Sequence, residues 1–373
     1  MSYGAIMKRV LVYGMTDNPG GIESYLLTVL DRIKEQDVQL DFVTDFPTIA
    51  YEEELKQAGS KIYYIPAKGK KLFKHWTGMK RILKAHPEYE SVYFNLLDAG
   101  GVFTAIVAKM MKRKVVVHSH NGDTDKQRLH KICKPFLIKI TDEYLACSNL
   151  AANYMFGEKV LSKKKVLIIP NAIDAKVFSY DEEKRLDVRK KLGVEDKFVV
   201  CHIGRISRQK NPYRLLDVFE ELHKKDTSAV LLYVGDGDMS TEIHQDVEKR
   251  LDIITKEGYE PHIRMLGVRS DIPDIMQAAD VFLLPSLYEG LPIVAIEAQT
   301  AGLPVVMSTN ITKEVALCDK AEFVSLEESN QVWAEKILSH KGEIRTSKEE
   351  AIREAGYDKN HMSKAVLKLM EVL

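Results

Sequence analysis

Ser286-Leu287-Tyr288-Glu289-Gly290-Leu291-Pro292-Ile293-Val294-Ala295-Ile296-Glu297-Ala298 carries two glutamates eight residues apart, straight after the apolar run Asp280 to Leu284. The stretch reads as strand, loop and then a helix opening near Leu291. Pro292 falls in its first turn, where a missing N–H costs nothing. Glu289 is then a loop residue and Glu297 lies about two turns into the helix. Between them would lie free backbone N–H groups and the positive end of a helix dipole. That is a place for a phosphate with a carboxylate on either side for hydroxyl groups, which is the chemistry of a nucleotide sugar.

Upstream, Val199 to Ile203 is a buried strand by pattern, followed by Gly204-Arg205-Ile206-Ser207-Arg208-Gln209-Lys210-Asn211-Pro212 as turn and helix start. Arg205 and Lys210 are cations at a strand's carboxyl end, where open α/β sheets bind ligands. Arg offers a planar fork to phosphate oxygens and Lys a point charge. A solvated basic loop is the alternative for these two residues by themselves.

Taken together, Gly204-Arg205 with Lys210-Asn211, Gly235-Asp236-Gly237, Glu289 with Glu297, and Ala301-Gly302-Leu303-Pro304-Val305-Val306 resemble the retaining glycosyltransferases of family 4, in order and spacing and over nearly the whole chain. The resemblance implies the GT-B fold: two Rossmann-like, doubly wound parallel-sheet α/β domains facing a cleft, with a C-terminal helix crossing back to the first. It implies that Arg205 and Lys210 hold the diphosphate, Glu297 the ribose and Glu289 the donor sugar. Gly290, Leu291 and Ile293 would present backbone. It also places Val268 and Arg269 near the base, Gly235 in a turn beside the nucleotide, and Gly20 and Gly21 near the diphosphate. His120 would be the functional histidine of the first domain. The implied function is transfer of a hexose from a nucleoside-diphosphate sugar, UDP favoured, to a sugar hydroxyl. The stretch His118 to Asn121 with Ala146-Cys147-Ser148 is similar to members from capsule and exopolysaccharide assembly, which suggests a lipid-linked or oligosaccharide acceptor. A nucleotide-sugar epimerase of the same architecture, or a non-catalytic nucleotide-sugar-binding protein at a membrane, is the alternative.

The chain has 373 residues, 45% hydrophobic and 29% charged, ample for two cores. Alternating strand-like and helical runs argue two parallel sheets. Expected domains are 1–175, for the acceptor, 176–355, for the nucleotide sugar, and a returning helix over 356–373. That tail has Met362, Ala365, Val366, Leu369, Met370 and Leu373 at helical spacing. Net charge is zero but uneven: residues 1–175 hold 26 Lys and Arg against 19 Asp and Glu, and the remainder 28 against 35. No apolar run is long enough to span a bilayer, and residues 1–8 lack the core of a signal peptide. Cys133, Cys147, Cys201 and Cys318 are scattered, as in a reducing, cytoplasmic setting.

His118-Ser119-His120-Asn121 closes a strand of the first half. Imidazole at a strand's carboxyl end can bond a sugar hydroxyl or polarise a leaving group. His118, Asn121 and Asp123 are candidates for the acceptor. His-x-His also suits zinc and Asp236-Gly237-Asp238 a divalent clamp. No third ligand is apparent for the first, and Arg205 and Lys210 already supply positive charge at the second, so no metal or other cofactor is expected. From Leu55 to Pro87 there is no Asp or Glu, while Lys61, Lys68, Lys70, Lys71, Lys74, Lys80, Arg81 and Lys84 are interleaved with Phe73, Trp76, Met79, Ile82 and Leu83. Residues 61–84 therefore suit an anionic membrane surface, at the inner face of the plasma membrane, or else a solvated helix with snorkelling lysines. Neutral net charge and the lack of a nucleic-acid motif argue against nucleic acid.

Overall fold

A computed structural model describes residues 7–34, 36–254 and 261–373, with the side chains of Lys70, 252–254 and 360–364 also outside the description, so that the leader 1–6 and Met362 of the tail lie beyond it. The chain divides into two compact units, residues 1–172 with 359–373 and residues 173–358.

The first unit is built on seven parallel strands: β1 (Lys8–Tyr13), β2 (Val38–Thr44), β3 (Ile62–Tyr64), β4 (Ser91–Leu96), β5 (Lys114–Ser119), β6 (Glu143–Ala146) and β7 (Val166–Ile168), in the order β3-β2-β1-β4-β5-β6-β7. The central strands are covered on both faces and therefore read as apolar runs rather than alternating ones. Val10 and Val12 point to one core with helix α1 (Gly21–Ile33) and the C-terminal helix Lys359–Val372. Val366, Leu369 and Leu373 are buried there, and Ser91 Oγ donates to the carbonyl of Leu373 at 2.5 Å. Leu11 and Tyr13 face the other core, under α2 (Lys68–Ala85), α3 (Val102–Met110) and α4 (Gln127–Ile140). The one charged side chain sealed in β2, Asp41, is held by Arg9 (2.7 and 2.5 Å), Tyr89 Oη (2.6 Å) and the N–H of Lys61 (2.7 Å), the full pairing that a buried carboxylate requires.

The second unit has six parallel strands, β8 (Phe198–Ile203), β9 (Ala229–Val234), β10 (Ile263–Gly267), β11 (Val281–Leu284), β12 (Val305–Ser308) and β13 (Ala321–Val324), ordered β10-β9-β8-β11-β12-β13. Its helices include α5 (Pro212–Lys225), α6 (Ile272–Ala278) and α7 (Ile293–Thr300). In each sheet the chain builds outward on one side and then crosses to the other. This leaves a topological switch point between β1 and β4, and a second between β8 and β11. Crevices beyond the carboxyl ends of the strands at such points are where open α/β sheets take ligands.

Candidate active site

The loops after β8 and β11 flank the second switch point and are stitched together. Leu287 N–H donates to Gln209 O (2.8 Å), Gln209 Nε2 to Tyr288 O (3.1 Å) and Asn211 Nδ2 to Pro285 O (3.2 Å). Asn211 adopts a left-handed conformation (φ 55°), which lets its side chain turn back while Pro212 opens α5. Within this frame Lys210 Nζ meets Glu289 Oε1 at 2.7 Å, both side chains largely buried, and Gln209 Nε2 donates to the other oxygen at 3.2 Å. The two side chains thus meet directly, an ion pair that the sequence reading did not anticipate. Arg205 is not part of it: its side chain is 58% exposed and lies 3.6 Å from Asp238.

Helix α7 begins at Ile293, two residues later than the sequence suggested, because Pro292 stays extended (φ −73°, ψ 97°) and takes the N-cap place. No side chain caps this N-terminus, so its first N–H groups remain open for an anion. Glu297 therefore sits little more than one turn in. Among the described residues its carboxyl has no hydrogen-bond or ion-pair partner, and burial pushes it up to about 7. Leu291 and Glu289 are buried, and Ile293 is part-exposed. Gly235 has φ 137°, and a Cβ there would stand 1.9 Å from Gly204 O. The turn thus needs glycine because two strand ends touch. Asp236 accepts from Gly237 N–H and Ser240 Oγ, and among the described residues no acidic or histidine cluster is arranged for a metal. Val268 is exposed, and the Arg269 fork is engaged by Asp271 (2.8 and 2.6 Å). Behind the loops His202 gives its Nδ1–H to Leu283 O (2.8 Å), and burial pushes it down to about 3. It is a neutral ring beside Gly204.

The first unit gathers a second cluster at the carboxyl ends of β1, β4 and β5. His118 and His120 lie with ring centres 4.0 Å apart, and Tyr25 packs on both. His118 Nδ1 bonds Tyr93 Oη (2.5 Å), which bonds Tyr25 Oη (2.9 Å). His120 Nε2–H donates to Asn95 Oδ1 at 2.9 Å, which leaves Nδ1 as a lone-pair acceptor. Burial drives His118 well below its ordinary value, with His120 adding, and His120 down to about 3. Both rings are neutral near pH 7, suited to hydrogen bonding rather than to charge. Asn121 and Asp123 turn inward on the next loop, accepting from the N–H groups of Gly122 and Thr124. Gly20 precedes α1 in extended backbone, and Gly21 O accepts from Asn171 Nδ2 (3.2 Å).

Beside this cluster a cavity of about 610 Å³ opens at the β1/β4 switch point. Its wall includes Tyr13, Asp45, Lys68, Asn95 and Lys126 with apolar Leu97 and Leu129. Lys68 Nζ donates to Tyr13 Oη (2.5 Å), which donates to Asp45 Oδ1 (3.0 Å). Among the described residues Asn95 Nδ2, buried at the cavity's floor, has no partner.

Two family models match in succession: "Glycosyltransferase Family 4" over residues 19–177 and "Glycosyl transferases group 1" over residues 184–358. The chain's halves are a family 4 and a group 1 glycosyltransferase domain. EpsF of Bacillus subtilis (strain 168), named as a glycosyltransferase, is 29% identical over 98% of this chain and 97% of its own length. The capsular polysaccharide biosynthesis glycosyltransferase CapH of Staphylococcus aureus is 26% identical over 88% of this chain and 90% of that one. An Escherichia coli UDP-Gal:alpha-D-GlcNAc-diphosphoundecaprenol alpha-1,3-galactosyltransferase is 28% identical over 56% of this chain and 55% of that one. Among solved structures, Anabaena HepE in complex with UDP and glucose superposes with a TM-score of 0.76 at 19% identity, covering 98% of this chain and all of that one. This likeness confirms the GT-B architecture of the glycosyltransferase. Sequence reasoning missed Gln209, Asn211, Asn95, Tyr25 and Tyr93. Gln209 and Asn211 flank Lys210 and could have been suspected from that position alone. The other three join the site only through strand order.

Proposed function

We propose that this glycosyltransferase moves a hexose from a UDP-sugar, with retained anomeric configuration, to a sugar hydroxyl on a lipid-linked intermediate of cell-surface polysaccharide synthesis. The observation that carries the reading is the buried Lys210–Glu289 pair at a switch point, beside an uncapped helix N-terminus and the unpartnered Glu297. In this reading Lys210 and Arg205 meet the diphosphate together with the N–H groups of α7. Glu297 receives the ribose hydroxyls, Glu289 a hydroxyl of the donor sugar, and Gly290, Leu291 and Ile293 lend backbone. Gly235, Val268 and Arg269 border the nucleotide, and Gly20 and Gly21 approach the diphosphate. Acceptor hydroxyls are bonded by His120, His118, Asn121 and Asp123.

The chemical step breaks the bond from the anomeric carbon to the diphosphate oxygen while the acceptor oxygen bonds to the same face. The acceptor proton passes to the leaving phosphate oxygen. Negative charge grows on that oxygen, and fixed cations and N–H groups in a dry site stabilise it without reorganising. UDP-bound structural neighbours and relatives named for capsule synthesis support the donor and the pathway class. The name of the Escherichia coli relative supports a lipid-diphosphate acceptor, and the cationic residues 61–84 suit the inner face of the plasma membrane. The described residues hold no helix long and apolar enough to cross a membrane.

The test is a thermal-shift panel of UDP-, GDP- and ADP-sugars, followed by NMR of the product anomer. Stabilisation by UDP-sugars and retention are expected. An inverted product, or an epimer from donor alone, would reject the reading.

A further inference from the structure

In the acid-free segment 61–84 the helix turns apolar side chains inward and leaves Lys71, Lys74, Lys80, Arg81 and Lys84 in solvent: Met79 and Leu83 are fully buried, Ile82 is nearly so, and Trp76 Nε1 donates to Phe103 O (2.6 Å). Its large apolar side chains in solvent are Tyr64 and Phe73. Helix α4 differs. Leu129, Ile132 and Phe136 repeat at helical spacing and are 39%, 67% and 62% exposed, while His130, Cys133 and Leu137 fill the core from the adjoining face. Residues 126–141 contain no Asp or Glu, and Arg128, Lys131 and Lys139 stand exposed beside the apolar stripe without an ion-pair partner among the described residues. A helix of this pattern, with an exposed apolar stripe flanked by cations on its solvent side, matches an anionic bilayer interface, where the stripe meets acyl chains and the cations meet headgroup phosphates. A solvated helix would not expose three large apolar side chains in a row.

The start of α4 also borders the cavity. Lys126 and Leu129 line its mouth opposite Lys68 and Leu72 of α2, next to exposed Phe73. We propose that α4 is the membrane-docking helix of this glycosyltransferase, seated in an anionic leaflet through Leu129, Ile132 and Phe136, and that this seating brings the mouth of the β1/β4 cavity to headgroup level. The cavity then receives the sugar of a lipid-borne acceptor, with Lys126 facing its phosphate. This deepens, and rests on, the assignment of the first unit to the acceptor.

Flotation with vesicles of phosphatidylglycerol mixed with phosphatidylcholine, against phosphatidylcholine alone, tests the docking. Wild type should float only with the anionic mixture, and less as salt rises. The variant I132Q/F136Q and the variant R128E/K131E should each lose about tenfold or more in vesicle binding. Leu367→Gln, an exposed apolar residue on the C-terminal helix, should lose none. The altered side chains are in solvent, so melting temperatures and UDP binding should stay as in wild type. Wild type remaining in the soluble fraction, or I132Q/F136Q floating like wild type, would overturn the proposal. Binding abolished by charge reversal alone would mean adsorption by charge without seating of the apolar stripe and overturn it too. Flotation as expected from a protein that binds no nucleotide sugar would leave the docking standing and remove the proposed function instead.

Discussion

Replacing Glu297 with Gln separates what the fold wants from what the chemistry wants. The Glu297 carboxyl has no cation or donor near it among the described residues, and burial raises it from 4.5 to about 7. The folded protein therefore holds a proton between those values that the unfolded chain has released. The unfolded state binds fewer protons there, so stability falls as pH rises through that window. A rise of this size amounts to about 3 kcal/mol of destabilisation, fully felt above pH 7. Gln cannot ionise, so E297Q should match wild type near about pH 5 and exceed it by up to about 3 kcal/mol near about pH 8. The second unit can be followed alone, because Trp333 lies within it and the chain's other tryptophan, Trp76, lies in the first. Urea unfolding read by Trp333 fluorescence in a W76F background is the assay. UDP titration should show the opposite trend. Ribose hydroxyls donate to the ionised carboxyl, so wild-type affinity should tighten as pH rises through 7, and E297Q should lose that tightening. Equal pH dependence of stability in the two proteins, or a variant less stable at the higher pH, would refute the reasoning.

Other consequences are direct. Lys210→Ala should lower kcat/KM about a hundredfold or more and, by leaving Glu289 buried without its cation, cost about 3–5 kcal/mol of stability; K210M/E289Q should recover the stability in denaturant titrations without the turnover. Gly235→Ala forces a Cβ against Gly204 O; it should cost at least about 1–3 kcal/mol and abolish UDP binding in calorimetry. Arg345, buried and pushed down to about 9 by burial, donates to the carbonyls of Gln277 (2.8 Å), Ala279 (2.7 Å) and Ala301 (2.5 Å) and so ties off the ends of α6 and α7. Arg345→Lys keeps the charge but not the fork, and should cost about 3 kcal/mol of thermal stability with UDP contacts untouched.

The strands were legible because a parallel strand buried on both faces must be a short apolar run; β4, β8 and β9 have no exposed position. The segments Gly204 to Asn211 and Glu289 to Glu297 were legible as motif blocks, but neither resemblance nor spacing gave the Lys210–Glu289 contact itself. The start of α7 was misplaced because proline suits both the N-cap and the first turn, and only ψ at Pro292 decides between them. The polar chain Tyr25–Tyr93–His118 and the bond from His120 to Asn95 were illegible, since they join α1, β4 and the end of β5, which only strand order brings together. In the cationic stretch 61–84 composition reports which side chains are present, and packing decides which of them face water. Met79 and Leu83 went inside, whereas Ile132 and Phe136, in a segment with less obvious charge, did not.

The C-terminal helix gives biosynthesis an inverted order. Residues 359–373 complete a core whose other members come from residues 10–172. On the ribosome the second unit is whole before that helix emerges, so the half encoded first is finished last. Until then, the bed for Val366, Leu369 and Leu373 on α1 and its neighbours lies open. A fragment ending near residue 358 should accordingly retain a sound second unit beside an N-terminal half prone to aggregate, and supplying 359–373 as a separate peptide should rescue it.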